Sequence, residues 1–69
     1  MTLKEFLSMN QGHVAVIMLI ATEFVGRIGL IMNDQVELCH KDNVACNTIP
    51  LANIRSVRIY SMSEIVWKR

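Results

Sequence analysis

The segment 14–21, Val-Ala-Val-Ile-Met-Leu-Ile-Ala, constrains this chain more than any other: eight apolar residues without a charge, stopped by Thr22 and Glu23. A spanning helix needs about 20 apolar residues, so the run does not predict a transmembrane segment. Its period is that of a strand. Val14, Val16 and Met18 alternate with Ala15, Ile17 and Leu19, so both faces are apolar. Such a strand is covered on both sides, and we expect the inside of a small barrel on one face and an N-terminal helix on the other. The chain has 69 residues, room for one domain. A domain this small buries only about 60% of the surface its unfolded chain exposes. With 52% hydrophobic and 19% charged residues it is too apolar for disorder, and it carries more apolar surface than one small core hides. An oligomer is expected.

The elements around the run follow from spacing. Thr2-Leu-Lys-Glu5 fits a capping box, and Leu3, Phe6 and Leu7 follow at helical intervals. Gly12 tolerates the left-handed backbone that ends such a helix. The second strand, 24–32, carries Gly26 and Gly29, and glycine within a strand marks a bulge, a bend or close backbone approach. Asn33-Asp34-Gln35 is turn chemistry. Residues 36–40 alternate again as a third strand, Lys41-Asp42-Asn43 is a polar turn, and 44–49 form a fourth strand that Pro50 ends. A turn centred between Asp42 and Asn43 sets Cys39 opposite Cys46. A cross-strand disulfide is then sterically allowed, and a cytosolic setting holds the pair reduced. Leu51-Ala-Asn53 is a single turn, and 54–60 form the fifth strand. One helix and five strands joined by tight turns predict a strongly bent antiparallel meander closing as a small barrel over 1–60. The tail, 61–69, is apolar at Ile65, Val66 and Trp67 and packs on the barrel or on a neighbouring subunit.

The charge balance of +1 excludes a protein that coats DNA by bulk charge. The start, Met1-Thr-Leu-Lys-Glu-Phe, sets an acid beside its only base and does not read as an export signal, so the cytoplasm is the expected compartment. Cys39 and Cys46 have no second ligand pair at zinc spacing, so neither a metal nor a cofactor is expected. His13 and His40 stand at a strand start and a strand end with no nucleophile placed by a motif, and Gly26-Arg-Ile-Gly29 lies inside a strand rather than a phosphate loop. The chain does not read as an enzyme, and a small-molecule substrate and a membrane are not expected partners.

Residues 13–28 and the helix before them resemble the first motif of the Sm-like (LSm) family, most closely its bacterial branch of RNA chaperones, Hfq. Val14, Val16 and Met18 stand at that motif's alternating positions, Phe24 at its aromatic one, Gly26 at its glycine and Ile28 after it, with Ala21 in place of the usual turn glycine. Residues 49–59, with Ile54 and Val57, resemble the shorter second motif. The resemblance covers roughly 3–60. It implies an SH3-like five-stranded barrel and a homo-oligomeric ring of five to seven subunits, in which the fourth strand of one copy pairs with the fifth of the next. Val44, Cys46, Ile49, Ile54, Val57 and Ile59 are then the interface residues, and Val57→Asp is expected to break the ring.

The resemblance also implies binding of single-stranded, uridine- or adenine-rich RNA, in RNA metabolism or riboregulation. Asn33, Asp34 and Gln35 occupy the loop that holds a base in the family, and Arg55, Arg58 and Lys41 are candidate cations. Turn formation alone accounts for Asn33 and Asp34, and solvation of a strand face accounts for Arg55 and Arg58. Trp67 either stacks a base or docks on its own core or on a neighbour. The family's basic pair in the second motif is replaced by Pro50-Leu51-Ala52, without charge or side-chain donor. A ring that serves as a scaffold for protein–protein interaction is therefore the alternative, and an accessory subunit pairing with a different chain is a third.

Overall fold

The first element forms as its capping residues require. In the computed structural model, which describes residues 1–40 and 44–69 (Ser63 in its backbone only), α1 spans Leu3–Met9. The Glu5 amide donates to Thr2 Oγ1 at 3.1 Å, and the Thr2 amide donates to Glu5 Oε1 at 2.9 Å. Hydrogen bonds from the Thr2 backbone and then its hydroxyl hold the Glu5 carboxyl below its ordinary pKa. Leu3, Phe6 and Leu7 are buried. Gly12 has φ +88°, and its amide donates to the Ile28 carbonyl, so the left-handed turn feeds the chain into the sheet in register.

The strands are β1 (Val14–Met18), β2 (Glu23–Ile31), β3 (Gln35–Cys39), β4 (Cys46–Pro50), β5 (Ser56–Ile59) and β6 (Met62–Lys68). They form one antiparallel sheet in the order β4-β3-β2-β1-β5-β6, with a 3-10 turn over Leu51–Asn53 before β5. The expected five strands are present, but the tail adds a sixth. The strand order ends at β4 and β6, so the described residues form an open sheet in place of the expected five-stranded barrel. On β6, Ile65 and Trp67 turn toward the core while Val66 pairs with Arg58 of β5, so the tail follows strand alternation. The polar turn expected at Lys41-Asp42-Asn43, with its candidate cation Lys41, lies outside the described residues.

Curvature follows from connectivity. β4 and β5 are separated by three strands, about 19 Å in a flat sheet. Only residues 51–55 join them, three of these in a 3-10 turn that rises roughly 6 Å. The sheet must curl to bring those strands near each other. Gly26 permits part of that curl: a Cβ there would stand 2.7 Å from the Cys39 carbonyl oxygen and 3.0 Å from Leu38 Cγ. β2 and β3 also change register between Ile28 and Ile31.

The core lies inside the curl. It joins Leu3, Phe6 and Leu7 of α1 to Ala15, Ile17, Ile28, Val36, Leu38, Ile49, Ile54, Val57 and Ile59. The helix therefore packs on the same face as the other core residues, and the second face of β1 is not covered by it. Val14 and Met18 on that second face are 38% and 41% exposed. This corrects the expectation that α1 covers it. Val16, between Val25 and Arg58 in the neighbouring strands, is shielded by the sheet itself.

Two further expectations change. β5 lies between β1 and β6, so it is not an open edge; the outer strands are β4 and β6. Ile49, Ile54, Val57 and Ile59, expected at a subunit interface, are at most 2% exposed within their own chain. Val57 and Ile59 face inward on either side of the outward Arg58, Ile49 faces inward beside the exposed Thr48 and Pro50, and Ile54 enters the core from the end of the 3-10 turn. Val44 and Cys46 are the exposed members of that set.

Candidate nucleic-acid interface

The loop between β2 and β3 is tied to its surroundings at several points. Lys4 Nζ donates to Asn33 Oδ1 at 3.1 Å, which links α1 to the loop. The Leu51 amide donates to the Asp34 carbonyl at 2.9 Å, which links the loop to the 3-10 turn. Gln35 pairs with Pro50 of β4, and its Nε2 lies 3.5 Å from Met32 Sδ. The fold thus sets Asn33-Asp34-Gln35 against Pro50 and Leu51. Asn33 and Asp34 are exposed and Gln35 is half-buried.

Arg55 stands elsewhere. With Arg69, Asn53, Ala52, Leu19, Ile20 and Ala21 it lines a cleft of about 440 Å³ between the β1–β2 turn and the 3-10 turn, and none of Asn33, Asp34 or Gln35 lines this space. The cleft is built by the curl. The Arg55 amide donates to the Met18 carbonyl at 2.8 Å, which holds the start of β5 beside the end of β1. Arg69 then closes the far wall. Its Nε donates to the Ile54 carbonyl and its Nη2 to the Leu51 carbonyl, both at 2.9 Å, and its guanidinium lies 5.5 Å from the Trp67 ring centroid. Trp67 Nε1 donates to the Met1 carbonyl at 3.3 Å while its ring packs on the core, so it docks as a structural residue.

Two guanidinium groups, one amide and an apolar wall make a surface suited to an anion that carries a flat apolar body. Charge favours the same region: residues 55–69 hold four of the seven Lys/Arg (Arg55, Arg58, Lys68, Arg69) and one of the six acids, Glu64. Arg58 is exposed on the outer face, opposite Val16 and Val66. Sequence reasoning found Arg55 and missed Asn53 and Arg69 as its neighbours. No local signal places Arg69 there: Ile65-Val66-Trp67 is a run of three apolar residues, and only the pairing of Ser56 with Lys68 brings the next residue back to the start of β5.

The cysteines differ from expectation in redox state. Cys39 and Cys46 are paired in register and joined by a disulfide, whereas the cytosolic reading held them reduced. The register itself is as the turn position predicted. Opposed positions on neighbouring strands put two Cβ atoms within reach of such a bond.

No protein-family model, no curated protein and no solved structure matches this chain. Among the described residues, no helix is long and apolar enough to cross a membrane.

Proposed function

We propose that this chain is an Sm-like, self-assembling β-barrel module that binds single-stranded RNA, along a path from the Asn33–Gln35 loop over the 3-10 turn to the Arg55–Arg69 cleft. The observation that carries the reading is the cleft itself. RNA single strands are recognised by bases laid against flat or apolar side chains, with phosphates met by cations. Leu19, Ile20 and Ala52 offer the apolar wall, Asn53 an edge donor and acceptor, and Arg55 the charge. The helix-first order and the single turn between β4 and β5 support the family reading. Assembly by strand pairing then uses β4 and β6, since β5 is already paired on both sides.

A second reading has its own support. Val14, Met18, Val25 and Val66 are 38–49% exposed on the outer face of the sheet, in the rows that Val16 and Arg58 define. An exposed apolar stripe marks protein contact, which favours a scaffold.

Native mass spectrometry of the purified protein with a short uridine-rich oligonucleotide, paired with a salt titration of binding, separates the two. The RNA reading expects an oligomer that takes up the strand. It also expects Arg55→Ala to weaken binding and lower the salt slope by about 1, the loss of one phosphate contact. An oligomer that ignores uridine- and adenine-rich strands at low salt sinks the RNA reading and leaves the scaffold.

A further inference from the structure

The outer face of the β3–β4 hairpin carries a group of ligand atoms that neither reading above uses. Glu37 and Cys39 lie two residues apart on β3 and so share a face, and Cys46 stands directly across from Cys39 on β4. One carboxylate oxygen of Glu37 and the two Sγ atoms all lie within 4.8 Å of one another. Burial is graded: Cys39 is buried, Glu37 half-buried and Cys46 exposed, so the group has a floor and an open side. The neighbouring position of β2 is a glycine. A Cβ at Gly29 would stand 3.4 Å from both Cys39 Sγ and Glu37 Cβ, so a larger side chain there would lean over the space between the ligands.

We propose that this hairpin is a redox-gated zinc site, closed as a disulfide when oxidised and binding one Zn²⁺ through Cys39, Cys46 and Glu37 when reduced. The donor set selects the metal: two thiolates and one carboxylate suit Zn²⁺ in a tetrahedral arrangement, and they are too soft for Mg²⁺ or Ca²⁺. Zn–S bonds of about 2.3 Å at tetrahedral angles need the sulfurs roughly 3.8 Å apart. Reaching that separation takes side-chain rotation at Cys46, on the exposed side of an outer strand. Three protein ligands leave the fourth position to water, the arrangement of open rather than closed zinc sites. The step balances with a trialkylphosphine as reductant. The phosphine gives two electrons to the S–S bond, and one water supplies its oxygen to the phosphine and its two protons to the sulfurs. Zinc then forms two Zn–S bonds and one Zn–O bond, and the two thiol protons pass to solvent.

The test is a titration of the full chain with Zn²⁺, and in parallel with Co²⁺, before and after phosphine reduction, with far-ultraviolet circular dichroism to follow the fold. The expected result is no uptake by the oxidised protein. The reduced protein should take one metal per chain, with two protons released and the sulfur-to-metal charge-transfer band of tetrahedral cobalt thiolate. Cys46→Ser should abolish that band. Glu37→Gln, which leaves the disulfide able to form, should weaken binding tenfold or more (about the least that loss of a supporting group costs). A reduced chain that unfolds and regains its strands on adding zinc also supports the site. A reduced wild-type chain that takes no zinc, folded or not, overturns it. Uptake that is equal in the oxidised protein, or unchanged by Glu37→Gln, overturns the ligand set.

Discussion

The two margins of the sheet are secured by different means. At one margin the β3–β4 hairpin is clipped covalently by Cys39–Cys46. At the other, the β5–β6 hairpin is held by polar ties: Arg69 on the Leu51 and Ile54 carbonyls, and Trp67 on the Met1 carbonyl. The acidic residues Asp34 and Glu37 flank the first margin, and four cations lie toward the second. The contrast teaches that one small open sheet can have one edge set by redox chemistry and another set by hydrogen bonding and charge. A change of environment can then act on one margin and leave the other standing.

The largest expected effect removes both margins together. Val57 is fully buried on β5, between β1 and β6. An aspartate there is an unpaired buried charge, at about 3–5 kcal/mol. A chain of this length holds roughly 3–10 kcal/mol in total, so Val57→Asp should abolish the thermal unfolding transition. A Val57→Asp protein that melts like wild type but has lost its oligomer would instead make Val57 an interface residue. Next comes the covalent margin. A disulfide with a sequence separation of 7 closes a short loop, and chain entropy assigns it about 2.5 kcal/mol. Cys39→Ser with Cys46→Ser should lower urea stability by that order without changing the β1–β2 hairpin. Amide hydrogen exchange that weakens first at β5–β6 would reverse the assignment. The smallest effect belongs to the polar margin: Arg69→Ala removes two charged hydrogen bonds at the surface, worth about 1–2 kcal/mol together after solvent compensation. It should speed exchange in β6 and leave β3–β4 unchanged.

Most of the fold was legible because local rules fixed it. The capping box at Thr2 and Glu5 and the alternation in β1 each needed only neighbours in sequence. The Cys39–Cys46 register followed from turn placement. What escaped depended on contacts far apart in the chain. Whether 62–68 becomes a strand depends on β5 having an edge to offer, and Val66 between Ile65 and Trp67 hid the alternation behind a run of apolar residues. The buried state of Ile54, Val57 and Ile59 reads equally as core or interface until the sheet curls around them. The candidate site was half visible. Asn33-Asp34-Gln35 stood out as a loop, but Arg55 meets Ile20 and Arg69 only through the curl, which no local pattern encodes. The redox state of the cysteines lies outside sequence altogether, since it belongs to the surroundings as much as to the chain.

The outer strands carry a consequence for symmetry. β4 and β6 are unlike segments, so each offers a different ladder to a second copy. Two copies joined β4 to β4 are related by a two-fold axis, and the contact uses up the edge it needs, so that assembly through β4 alone stops at a pair. Copies joined β4 to β6 have no such axis, and every addition exposes the edge for the next. Whether that series closes on itself or runs on as a filament is decided by the angle between a chain's own two margins. That angle is set by the same tight turn and the same missing Cβ, at Gly26, that curl the sheet.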